Sequence, residues 1–130
     1  MSDDITSLGA LDLSAAIHAR QVSCTEVMQA YLARIERAHP GLHALISLKS
    51  PETLLADARQ MDELAARGQW LGWMHGMPQA IKDLAATRDI RTTYGSPLYR
   101  DFQPTEDSLI VERVRRAGAI VIGKTNTPEF

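Results

Sequence analysis

Apolar residues recur at helical intervals through the first half of the chain and then give way to short, loop-bounded runs. In residues 11–20, Leu13, Ala16, Ile17 and Arg20 fall at helical spacing and predict a short helix with one apolar stripe. Ser23-Cys24-Thr25-Glu26 has the form of a capping box, in which hydroxyl and carboxylate each satisfy a backbone N–H at a helix start. The helix predicted beyond it puts Val27, Tyr31, Ile35 and Ala38 on one face and stops at Pro40-Gly41. Leu42–Leu48 is a short apolar run that fits a strand. Ser50-Pro51 restarts a helix with Leu54, Ala58, Met61 and Ala65 in a row, and Gly68 lies just past its end.

The texture changes after Gly68. Gly72, Gly76 and Pro78 predict a loop, Gln79–Leu84 a strand, and Thr87–Thr93 a polar connection of the kind that carries function. Thr105–Asp107 supplies capping groups for a helix with Ile110, Val114 and Ala117 on one face, closed by Gly118. Ala119–Ile122 is a β-branched run. Strand, loop, helix and strand over residues 79–122 predict a crossover unit of a mainly parallel sheet, hence an α/β fold. Two or three strands are too few to cover the helices around them, since parallel sheets are buried on both faces, so the pattern predicts part of a larger domain.

Composition narrows the function classes. The 130 residues are 45% hydrophobic and 23% charged, inside the globular range, with seven aromatic residues to anchor a core. A net charge of -2 offers no basic face for phosphates, so no nucleic-acid partner is expected. The single cysteine, Cys24, allows neither an intrachain disulfide nor a cysteine-built zinc site, and suits a reducing, cytoplasmic setting. No apolar run reaches the roughly 18 residues of a membrane-spanning helix, so no membrane partner is expected.

The candidate chemistry centres on Trp73–Asp83, where Lys82 interrupts an apolar strand directly after a Gly/Pro loop. Alternation groups Ala80, Lys82 and Leu84 on one face. If that face is buried, desolvation disfavours the ammonium and frees an amine to act as a general base toward a serine hydroxyl. The same residues also describe a lysine snorkelling from a strand edge or pairing with Asp83, although adjacent strand residues point to opposite faces. Spacing leaves both readings open.

Other matches are weaker. Gly118–Thr125 satisfies the literal P-loop pattern, but the intervening residues are themselves the predicted strand, and Asn126 and Pro128 disfavour the helix such a loop must open, so Lys124 is read as a strand-end residue. His39 and His43 are four apart, but Pro40-Gly41 is expected to break the helix between them, and no metal site is expected. His75 is read as a loop histidine bonding to backbone. Cys24 lies in a first helical turn, where the dipole would lower its pKa, and is read as structural. Trp70 and Trp73 are read as packing residues.

HGMPQAIKD ending at Asp83, TTYGS at Thr92–Ser96 and RRAGAIVIGKTNTPEF at Arg115–Phe130 resemble, in order and spacing, three landmarks of the amidase-signature family. DSLIVERVRRAG resembles the family's segment between the second and third landmarks. SCTEVMQAYLARIERAHPGLHALISL resembles its N-terminal helical arm, so the similarity covers nearly the whole chain. The resemblance implies the N-terminal portion of a single amidase domain, with a helical arm at 1–68 and the start of the sheet core at 69–130. The implied fold is α/β/α with a mixed central sheet, incomplete in this chain. It also implies that Lys82 is the catalytic base of a Ser-cisSer-Lys triad hydrolysing a small-molecule amide to acid and ammonia or amine, without a cofactor. In the family both serines lie in a Gly/Ser-rich segment beyond the third landmark, so residues 1–130 alone are expected to be inactive, and neither Ser96 nor Ser108 is taken as the nucleophile. A homodimer at full length is compatible; substrate-binding residues are not implied. The alternatives are the glutaminase component of a tRNA-dependent amidotransferase, against which Thr127-Pro128-Glu129-Phe130 weighs, and a non-catalytic interaction module built on the helical arm.

Overall fold

Ser23 and Glu26 start the longest helix as the sequence requires: Glu26 N donates to Ser23 Oγ at 3.0 Å and Ser23 N to Glu26 Oε2 at 2.8 Å. In the computed structural model, which describes residues 5–130, this helix is preceded by a shorter one. The helices are α1 (Ala10–His18), α2 (Cys24–Leu42), α3 (Pro51–Ala66) and α4 (Leu109–Arg116); the strands are β1 (Pro78–Lys82) and β2 (Ile120–Thr125). A short 3-10 turn covers Pro97–Tyr99. Among the described residues no helix is long and apolar enough to cross a membrane.

The expected crossover is present, since β1 and β2 pair in parallel through the connection that holds α4. β2 is covered on both sides. Ile120 and Ile122 join α1, α2 and α3 in one core with Leu13, Ile17, Val27, Met28, Leu54 and Ala58, while Val121 and Ile81 form a second with Val111 of α4 and Ile90. Burial on two faces explains why β2 reads as a continuous β-branched run.

Three expectations need correction. Helix α2 runs through Pro40-Gly41 to Leu42 and closes on His43, which takes a left-handed conformation and donates its N–H to His39 O at 2.8 Å. No regular strand forms over Leu42–Leu48: Leu42 ends α2, and His43 is its left-handed cap. The residues that follow make one antiparallel bridge, Leu45 to Thr125, and lie along the second edge of β2 through Ile46 N to Lys124 O and Lys49 N to Ile122 O. The approach is so close that a Cβ on Gly123 would stand 2.4 Å from Ser47 O. Finally, α4 buries Val111, with Val114 half-buried, and exposes Ile110; Asp107 does not cap it but accepts from Arg88 N at 2.7 Å and from Arg115 Nε at 2.9 Å.

The β1–β2 register carries one irregularity that positions the site. Gln79 pairs with Val121, yet Ala80 pairs with Gly123, so Ile122 is an extra residue on β2. Such a bulge reverses the alternation beyond it. Lys124 therefore registers with Ile81, on the α4 side, rather than following Ile120 and Ile122 toward the three-helix layer.

Candidate functional site

Lys82 is the last residue of β1, in register with Thr125, and its side chain is exposed. The burial expected for its face is not supplied by residues 5–130: Ala80 is half-buried, and Leu84 is exposed. Its backbone is nonetheless held firmly. Lys82 O accepts from Ala85 N at 3.0 Å, and the next residue, Asp83, donates its N–H to Thr125 O at 3.1 Å and accepts at its carbonyl from Tyr94 N at 3.0 Å.

The buried lysine of this region is Lys124, at 0% exposure. Its Nζ donates to Ala85 O at 2.5 Å, Thr87 Oγ1 at 2.8 Å and Thr92 Oγ1 at 2.9 Å, with Asp83 Oδ1 at 3.9 Å. The threonine protons are already committed, Thr87 Oγ1 donating to Ala85 O at 3.0 Å and Thr92 Oγ1 to Ile90 O at 3.1 Å. Both oxygens must then accept, and three acceptors call for the three N–H bonds of an ammonium. Burial pushes the Lys124 amine down to about 8, against the opposing pull of the Asp83 and Asp107 carboxylates, which leaves the charged form dominant at neutral pH. This geometry also disposes of the P-loop pattern, because Lys124 lies within a strand with every donor occupied.

Asp83 is buried as well. Its carboxylate accepts from Thr93 N at 3.0 and 3.1 Å and from Thr93 Oγ1. As alternation suggested, it turns away from Lys82. The Asp83–Lys124 cluster was missed by sequence reasoning, since strict alternation sends Lys124 to the opposite side. A signal was available in Gly123, because a glycine inside a strand often marks a bulge or a close backbone approach.

The second and third motifs meet beside this cluster. Ser96 Oγ donates to Glu129 Oε1 at 2.8 Å, and Phe130 N donates to Tyr94 O at 2.8 Å. Gly95, at φ +69°, lies so close to this strand end that a Cβ would stand 2.5 Å from Pro128 O. Ser96 is thus buried and its proton committed to a carboxylate, while Ser108 Oγ has no hydrogen-bond partner among the described residues.

The remaining candidates are structural. His75 is fully buried, accepting from Leu71 N at Nδ1 (3.2 Å) and bonded from Nε2 to Met61 O (2.9 Å), as a loop histidine bonding to backbone should be. Trp70 stacks on His18 at 4.5 Å between ring centroids, whereas Trp73 is 51% exposed. The His39 and His43 rings approach to 5.9 Å because α2 is not broken at Pro40, yet among the described residues no group of three or more His, Cys, Asp or Glu side chains could hold a metal ion. Cys24 reverses the dipole expectation: burial, reinforced by the charge of Asp62 and a hydrogen bond to it, pushes the thiol up to about 12.

A family model described as Amidase matches residues 26–130. The chain belongs to the amidase family. Among its relatives, AmiD of Mycobacterium bovis, which bears an amidase name, is 42% identical over 122 residues, 94% of this chain and 26% of that protein. A glutamyl-tRNA(Gln) amidotransferase component from Salinispora tropica is 39% identical over 127 residues, 98% of this chain and 26% of that one. Among solved structures, the native peptide amidase of Stenotrophomonas maltophilia superposes with a TM-score of 0.85 at 35% identity, over 95% of this chain and 25% of that one. This amidase chain therefore spans about a quarter of the length of the relatives it matches, and its helices and small parallel sheet correspond to the N-terminal part of their α/β fold.

Proposed function

We infer that a full-length protein carrying this segment hydrolyses small-molecule carboxylic amides to acid and ammonia or amine, with Lys82 as the base of a Ser-cisSer-Lys triad. The observation that carries this reading is the contrast between the two lysines at the ends of the paired strands. Lys124 has all its donors spent on buried acceptors, whereas Lys82 stands free on the uncovered side of β1, with its backbone fixed. Ser96 is bonded to Glu129, and on the family resemblance both serines would belong to a Gly/Ser-rich segment outside residues 1–130.

The chemistry follows from those roles. The Lys82 amine takes a proton from a bridging serine, which takes one from the attacking serine as its oxygen bonds to the amide carbon. Collapse of the tetrahedral intermediate breaks the C–N bond, and the proton held at Lys82 passes back through the relay to the departing nitrogen. Water then releases the acid from the acyl-enzyme. A neutral amine requires that polypeptide outside these residues cover the open face of β1 and exclude water.

Replacing Lys82 with methionine in the full-length protein is expected to lower amide turnover by about 10²–10⁴-fold, the usual worth of a positioned base. A folded Lys82→Met protein with unchanged turnover would refute the assignment. The 39% identity to an amidotransferase component supports a second reading, glutamine hydrolysis in a complex. Comparing simple amides with glutamine as substrates separates the two, because the second reading expects ammonia release from glutamine coupled to a partner protein.

A further inference from the structure

We propose that Lys124, together with Asp83, is a positioning pair for Lys82, setting the end of β1 at which the base stands. The proposal rests on the assignment of Lys82 above and adds residues that act through it.

The connection is short and continuous. Lys124 Nζ donates to Ala85 O at 2.5 Å, and Ala85 N donates to Lys82 O at 3.0 Å, so one residue separates the buried ammonium from the backbone of the base. On the other side, Asp83 is held at every polar group: N–H to Thr125 O, carbonyl from Tyr94 N, carboxylate from Thr93 and beside Lys124 Nζ. The ammonium thus gathers Ala85, Thr87 and Thr92 of the polar connection onto β2, while Asp83 joins β1 to Thr93, Tyr94 and Thr125.

β1 needs such a device. Among the described residues it pairs only with β2, and Lys82 is its last residue, so nothing on its far edge fixes the direction in which the strand ends. A buried ion pair is a poor way to gain stability, because desolvating two charges cancels most of their attraction and an apolar pair of similar volume often does as well. What it provides is one geometry, since moving the loop leaves a buried charge and two hydroxyls without partners. A base must be placed within a few tenths of an ångström to transfer a proton, and that demand is what a rigid, fully satisfied network meets.

The test uses full-length protein and simple-amide kinetics for Lys82→Met, Lys124→Met, Thr92→Val and the double variant Lys82→Met/Lys124→Met, each checked for a native far-UV spectrum and a cooperative melt. Thr92→Val is nearly isosteric and removes one hydroxyl, with the bond it accepts from Lys124 Nζ and the one it donates to Ile90 O, so it decides the matter should Lys124→Met fail to fold. The expected result is kcat reduced by about tenfold or more in Lys124→Met and measurably in Thr92→Val, since misplacement of a reacting group is expensive. KM should stay within about twofold, because substrate contacts are untouched. Adding Lys124→Met to Lys82→Met should cost nothing further, because residues acting through one group are not additive. A folded Lys124→Met or, in its absence, Thr92→Val protein at wild-type kcat overturns the proposal, as does an equal loss from Lys124→Met in both backgrounds. Those outcomes leave the base assignment intact, whereas wild-type turnover in Lys82→Met removes that assignment itself and this proposal with it.

Discussion

Cys24 shows how far a residue's neighbours can outweigh its place on a helix. Its position in the first turn of α2 invites a lowered thiol pKa, but burial and Asp62 act in the opposite direction and raise it from 9.0 to about 12. The folded protein therefore holds the thiol proton more tightly than the unfolded chain. The corresponding stability is fully present below pH 9.0 and is lost as pH rises toward 12. Native Cys24 should resist iodoacetamide from neutral pH up to pH 9.0 and react fully only in denaturant, as read by mass spectrometry. Rapid native labelling at neutral pH would contradict this. Lys124 teaches the same lesson with the opposite sign: burial lowers the pKa of a cation and raises that of an acid, and here three acceptors and a carboxylate offset part of the cost.

At the scale of elements, the capping of α2 is shared between its own residues and its neighbour. Ser23 and Glu26 satisfy two N–H groups from within, while Asp62 of α3 accepts from Cys24 N at 2.7 Å, Thr25 N at 3.0 Å and Thr25 Oγ1 at 2.6 Å. Only the first half of that arrangement could be read from local sequence. Loss of a cap costs about 0.5–2 kcal/mol, so Asp62→Ala should lower the thermal midpoint of the full-length protein. Because Asp62 also holds the thiol up, the same variant should make Cys24 more reactive above neutral pH, which a purely capping role would not do. Gly123 offers a test of the other edge of β2. Alanine there would press on Ser47 O and strain the bonds from Ile46 N and Lys49 N, so Gly123→Ala should raise amide exchange at those two positions ahead of β1.

For the molecule as a whole, the helices and the sheet divide into two apolar clusters with β2 between them, but the covering is one-sided around α4. Leu109 and Ile110, side by side at its start, are each 63% exposed, and β1 has no partner on its far edge among the described residues. Adjacent exposed apolar side chains and an open edge strand favour association. Purified residues 1–130 should elute at an apparent mass that grows with concentration, and Leu109→Glu with Ile110→Glu should reduce that growth. Concentration-independent elution as a monomer would show that these residues need no cover.

Much of the architecture was legible because the helices rest on local rules: the capping box at Ser23, proline at the first position of α3, and apolar rows at helical spacing that the structure buries at Leu13, Ile17, Val27, Leu54 and Ala58. Motif order and spacing also sufficed to indicate the amidase family, and the role proposed for Lys82 comes from that resemblance. What the sequence could not display depends on phase and on distance. One extra residue at Ile122 reverses the side on which Lys124 lies, and only that reversal brings its ammonium to Thr92, Thr87 and Ala85, from 32 to 39 positions away along the chain, and to Asp83 beside them. Alternation is a local rule that a single bulge inverts, and burial of a charge is settled by whatever the folded chain brings around it; both belong to tertiary structure.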